Sequence, residues 1–126
     1  MSLSNAFETT TLEWLFTATS VTRPTAWYLA LYTVAPTDTG GGTECSGTSY
    51  ARQSFSLSVT GDTASNSANI DFPTAGGSWG TIVAVGVFTA VTGGTLIAYG
   101  TLTTSKAIDT GDVFRVPTGD LDITLN

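Results

Sequence analysis

The chain has 126 residues, 41% hydrophobic and only 11% charged, with a net charge of -6. Soluble domains carry about 25% charged residues; here the missing polarity is supplied by threonine, about a fifth of the chain, whose branched Cβ suits a pleated surface better than a helix. Arg23, Arg52, Lys106 and Arg115 are the only cations and lie far apart, which argues against phosphate neutralisation on nucleic acid and against an anionic membrane surface.

Met1 to Asn5 lacks the basic region and apolar core of a signal peptide, and no apolar run approaches the ~20 residues that span a bilayer. Residues 1–20 hold the one expected helix. Asn5 followed by Glu8 has capping-box spacing, and Leu3, Phe7, Thr11 and Leu15 share a face. Trp14, Leu15 and Phe16 spread three bulky apolar groups over a wide arc, which calls for a second burial partner. Arg23-Pro24 breaks the chain. From Ala26 to Thr33, Trp27, Leu29 and Leu31 alternate with Tyr28, Ala30 and Tyr32, as in a strand covered on both faces. Residues 35–49, with Pro36 and Gly40 to Gly42, form a long loop of the kind that is functional or mobile.

Phe55, Leu57 and Val59 alternate with serines, a turn follows from Gly61 to Asn66, and Ala68, Ile70 and Phe72 alternate with polar residues, so that the two runs read as a hairpin. Pro73 to Gly80 is breaker-rich and ends at Trp79. Thr81 to Ala90 is a nearly continuous apolar strand that turns at Thr92-Gly93-Gly94 into Leu96 to Leu102. Asp109 to Asp112 makes a turn, and Val113 to Val116 with Leu121 to Leu125 reads as a last pair around Pro117-Thr118-Gly119. Seven or eight short strands with turns every 8–12 residues describe one mostly-β domain over residues 1–126, an antiparallel β-sandwich or jelly-roll-like barrel with a short N-terminal helix.

Several segments together resemble a family of small bacteriophage virion proteins. They are Pro24-Thr25-Ala26-Trp27-Tyr28-Leu29-Ala30-Leu31-Tyr32-Thr33, Thr43-Glu44-Cys45-Ser46-Gly47-Thr48-Ser49-Tyr50-Ala51-Arg52-Gln53, Ser78-Trp79-Gly80-Thr81, and Leu102 to Lys106 with Ile108 to Phe114. Members are often labelled tail fiber proteins, and similar chains serve as minor capsid or head-decoration proteins. The resemblance implies a virion structural protein assembled in the bacterial cytoplasm. The preferred expectation is a capsid decoration or cement protein bound to the major capsid protein. The alternative is a tail-fiber or tail-tip subunit touching a host surface glycan.

Enzyme signatures are missing. There is no histidine to act as general base or metal ligand, and the single Cys45 has neither a disulfide partner nor an activating base. Gly40-Gly41-Gly42 lacks the lysine of a phosphate loop. Asp109, Asp112, Asp120 and Asp122 could supply oxygens to calcium, but turn capping and a solvated strand face account for them, so no cofactor or metal is expected. Trp27, Tyr28, Tyr32, Tyr50 and Trp79 could stack on sugars, yet such residues are equally at home in cores and interfaces. The expected interface residues are Trp14, Leu15, Phe16, Trp27, Tyr50, Arg52 and Trp79, the first three on the helix. With so little charge and so much apolar surface, the expected assembly is a homotrimer.

Overall fold

The structure, a computed structural model, describes residues 1–125. In chain order the elements are β1 (Ser2–Leu3), α1 (Asn5–Phe16), β2 (Trp27–Val34), β3 (Thr43–Glu44), β4 (Gln53–Phe55), β5 (Leu57–Thr60), β6 (Thr63–Asn66), β7 (Ile70–Asp71), β8 (Gly80–Phe88), β9 (Leu96–Ile108), β10 (Arg115–Val116) and β11 (Asp122–Thr124). The largest sheet runs β1-β9-β8-β2-β3, with β4 beside β3 on the same edge of β2. Two smaller sheets, β10-β7 and β11-β6-β5, complete the fold, and every pairing is antiparallel. The chain is thus mostly β with one short helix, as its composition demands. No sheet closes on itself, so the barrel form of the expectation is corrected to packed open sheets.

The two-faced pattern of β2 explains the centre. Leu29 and Leu31 point into one core with Ile82, Val85 and Val87 of β8 and with Ile70, Phe72, Trp79, Ile108, Phe114 and Leu121. Ala30 and Tyr32 point the other way, into a smaller cluster with Ala84, Phe88 and Leu96. A strand apolar on both faces is the sequence mark of a position covered on both sides, and β2 and β8 occupy it. On the smaller-cluster side Gly86 gives room: a Cβ there would lie 3.0 Å from both Leu96 and Tyr32.

Pairing differs from the sequence reading in two places. The hairpin partner of β5 is β6, joined by Gly61-Asp62 with Gly61 at φ +62°, so the supposed turn residues Thr63 to Asn66 are strand. Ile70–Asp71 instead pairs with Arg115–Val116, and Asp122–Thr124 pairs with Thr63–Ser65; the expected last hairpin does not form. Asn66 is the physical cause. Its fully buried amide donates to the carbonyls of Ala68 and Pro117 at 2.9 Å each and accepts from the Leu121 amide at 3.0 Å. These bonds stop the hairpin and turn the following chain towards the C-terminal segment.

Strand β9 also runs further than expected. Between the pairs Ile82↔Lys106 and Ala84↔Thr101, β8 advances two residues while β9 advances five, a large irregular bulge in which Leu102 to Ser105 oppose Val83 alone. The helix is capped by Ser4, whose hydroxyl accepts from the Phe7 amide at 3.4 Å and donates to the Leu96 carbonyl at 2.6 Å. The cap is therefore one residue ahead of the expected Asn5.

Candidate interaction surface

Arg52 lies at the centre of the densest polar cluster. Its Nε and Nη2 donate to the two carboxylate oxygens of Glu44 at 2.9 and 2.8 Å, and its Nη1 donates to the carbonyls of Ala90 and Gly93 at 2.9 and 2.8 Å. The guanidinium carbon stands 3.7 Å from the centre of the Phe88 ring, and Phe88 stacks on Tyr32. A planar fork with five donors suits this bidentate and stacked setting, which a lysine could not reproduce. Tyr50 completes the cluster: its hydroxyl donates to Glu44 at 2.7 Å and accepts from the Leu31 amide at 3.0 Å. Burial first, and then the bond to Glu44, push the Tyr50 phenol far above its ordinary range, so it stays a donor. Burial alone would raise the Glu44 carboxyl, but hydrogen bonds from Arg52 and Tyr50 outweigh it and hold the group below its ordinary value.

This cluster ties three distant stretches together: β2, the Glu44–Arg52 segment and the β8–β9 loop. Its bonds lie within the protomer, and Glu44, Tyr50 and Arg52 line an open groove of about 370 Å³ with Val91 and Gly93. Trp79 is buried. Its indole donates to the Thr48 carbonyl at 2.8 Å and its ring meets Tyr50 edge-on. Trp27 is half-buried at the start of β2 and packs on the larger core. None of Trp27, Tyr28, Tyr32, Tyr50 and Trp79 is exposed, so these five form no open stacking platform.

The helix differs. Leu12, Trp14, Leu15 and Phe16 are 57%, 67%, 55% and 78% exposed, and no residue of α1 is buried. Beside the helix is a mostly apolar cleft of about 360 Å³ lined by Phe7, Thr10, Thr11, Trp14, Val21, Arg23 and Pro24. Of the seven expected interface residues, the structure places the half-buried Tyr50 and Arg52 beside the buried Trp79 and gathers Trp14, Leu15 and Phe16 on the exposed helix.

Glu44 and Asn66 were not singled out in the sequence. The alternation of Glu44 with its neighbours carries no sign of a pairing eight residues on, and Asn66 looked like an ordinary turn residue. Cys45 is buried, with its thiol 3.8 Å from the Trp79 carbonyl. Asp109 and Asp112 close their own turn, Asp112 accepting from the Asp109 amide at 2.9 Å. Asp122 accepts from Ser65, and with Asp120 it lines an open groove of about 660 Å³ alongside Lys106 and Arg115. Among the described residues no three acidic or cysteine side chains converge as a metal site, and no helix is long and apolar enough to cross a membrane.

Against this geometry the comparisons with known proteins are decisive on family. A family model described as podophage GP4 fiber I protein gp80 matches residues 2–124. The chain belongs to this phage fiber family. It is a small structural protein of the virion. No curated protein matches it.

Proposed function

We propose that this chain is a subunit of the phage tail fiber, a compact β module that helps present the fiber to the host surface. The match of nearly the whole chain to a fiber family carries this reading. It favours the fiber alternative over the capsid-decoration role that headed the sequence-based expectations. The physical character agrees: an internally cross-braced β body, a polar surface rich in Thr and Ser, and exposed apolar side chains gathered at α1. Its partners would be neighbouring fiber proteins and other copies of itself. Host contact, if made by this module, would be with a surface glycan. Assembly would take place in the bacterial cytoplasm with the rest of the particle.

Phage lacking the protein are expected to keep intact, equally robust heads and lose adsorption to cells. A gold-labelled antibody against the chain should decorate the fibers. Label on the head, with fragile capsids and normal adsorption, would overturn the proposal in favour of decoration.

A further inference from the structure

The main sheet is covered at one end and open at the other. The far edge of β2 is taken by β4 at Trp27, Tyr28 and Leu29 and by β3 at Tyr32 and Val34. Strand β9, the longest in the fold at 13 residues, lies at the other end, and β1 covers it only at Ala98 and Tyr99. Across residues 100–107 no strand pairs with its outer side among the described residues. That side borders the open groove of about 660 Å³, whose far wall holds Arg115, Val116, Asp120 and Asp122.

A free edge is a template on which another chain can pair. The sequence makes this one hazardous. Residues 72–105 carry no charged side chain at all. Their last part, from Leu96 to Ser105, is free of proline and rich in branched and aromatic residues, the composition of segments that stack as cross-β. The first charge after this run is Lys106, the chain's only lysine. It is exposed, takes part in no ion pair among the described residues, and stands on the free edge itself.

We propose that Lys106 guards the edge of β9, keeping it from pairing with the β9 edge of another copy in open-ended aggregates. Pairing two such edges would draw two ammonium groups out of water, which is costly unless each finds a partner. The surroundings deny it one. The amino terminus reaches the Asp122 carbonyl from the same side, and Arg115 stands across the groove, so a second copy brings cations against cations. The two nearby carboxylates lie on the groove's far wall, not on the edge, and that of Asp122 already accepts from Ser65. The bulge at Leu102 to Ser105 adds a second obstacle, since it breaks the even spacing that a pairing strand needs.

The sign of the charge separates this role from general solubility. The net charge is -6, so loss of Lys106 makes the chain more negative. Repulsion between whole molecules would then grow and aggregation should slow. An edge guard requires the opposite.

The inference does not depend on where in the particle the chain sits. Its test is Lys106→Thr in the full chain, followed by thioflavin fluorescence and light scattering well below the thermal midpoint. Aggregation should be at least tenfold faster than in the wild type, while the midpoint stays within about 2 °C, as for an exposed substitution. Lys106→Arg should behave as the wild type. Two double variants distinguish edge from overall charge: Lys106→Thr/Thr101→Lys, which returns a cation to the edge, should restore slow aggregation, and Lys106→Thr/Thr19→Lys, which places it far off in the chain, should not. This pair decides the matter if Lys106→Thr lowers the midpoint, because both carry that change. Lys106→Thr no faster than the wild type, Lys106→Arg as fast as Lys106→Thr, or equal rates in the two double variants would overturn the proposal.

Discussion

Replacing Arg52 by Ala tests whether the Glu44–Arg52 cluster holds the protomer together. The Arg52 side chain is 9% exposed and that of Glu44 27%. The substitution removes both bonds of a bidentate pair, two bonds to the β8–β9 loop and the stacking on Phe88. It also leaves Glu44 with Tyr50 as its one side-chain donor in a half-dry site. Breaking a buried pair from one side costs about 3–5 kcal/mol. Residual solvent at Glu44, and water reaching the exposed Gly93 carbonyl, bring the expected loss to about 3 kcal/mol. For a chain of this length, roughly 3–5 °C is lost per kcal/mol, so the midpoint should fall by about 12 °C. Urea titration should show a lower midpoint at unchanged slope. In the double variant Arg52→Ala/Glu44→Gln the loss should be well below the sum of the single losses, because the orphaned charge is gone. A loss below about 1 kcal/mol for Arg52→Ala, or strict additivity in the double variant, would refute the reasoning.

Four further outcomes are expected. Because the folded Glu44 carboxyl titrates below its ordinary value of 4.5, its contribution is complete above that value and is lost as the pH falls through the lower folded value; acid titration of the midpoint should show this step, and Glu44→Gln should remove it. Gly47→Ala should destabilise by about 1–3 kcal/mol through overpacking, since the new Cβ would sit 2.3 Å from the buried Trp79 ring, as calorimetry would read. Asn66→Ala should cost about 2–4 kcal/mol by stranding the Leu121 amide and the carbonyls of Ala68 and Pro117, with hydrogen exchange rising in both small sheets. The Cys45 thiol, raised by burial before any other cause, should resist a thiol reagent at pH 8 in the folded protein and react fully in denaturant.

The sequence disclosed what depends on local periodicity. Strand β2 could be read from alternating bulky groups, and its two covered faces followed. The helix could be read from its start signal and the break at Arg23-Pro24, although Ser4 and not Asn5 is the cap. What it did not disclose is long-range pairing. Ile70 and Phe72 alternate as well in a hairpin with β5 as in a strand against β10, and no local rule separates the two. The choice is made by one amide, Asn66, whose partners lie about fifty residues away. The candidate surface divides in the same way. Trp14, Leu15 and Phe16 betray themselves by crowding, because three neighbouring bulky residues on a short helix cannot all be covered from one side. Tyr50, Arg52 and Trp79 belong to aromatic and cationic types common in both cores and interfaces, and only the fold places them inside.

The distribution of charge connects these points to function. The chain has four cations, and two of them are committed internally: Arg52 to Glu44, and Arg115 to Asp71 across the β7–β10 pair. Among the described residues Lys106 and Arg23 remain outside ion pairs. A surface so poor in positive charge cannot steer an anionic partner towards it. What it does expose is large apolar side chains. Those are concentrated at α1, where four large side chains stand in water beside a cleft that holds Arg23. The bonds that brace the β body at Arg52 and Asn66 do not involve that helix. Substitutions on the outer face of α1 should therefore leave the thermal midpoint of the β body nearly unchanged, and those at Arg52 or Asn66 should lower it.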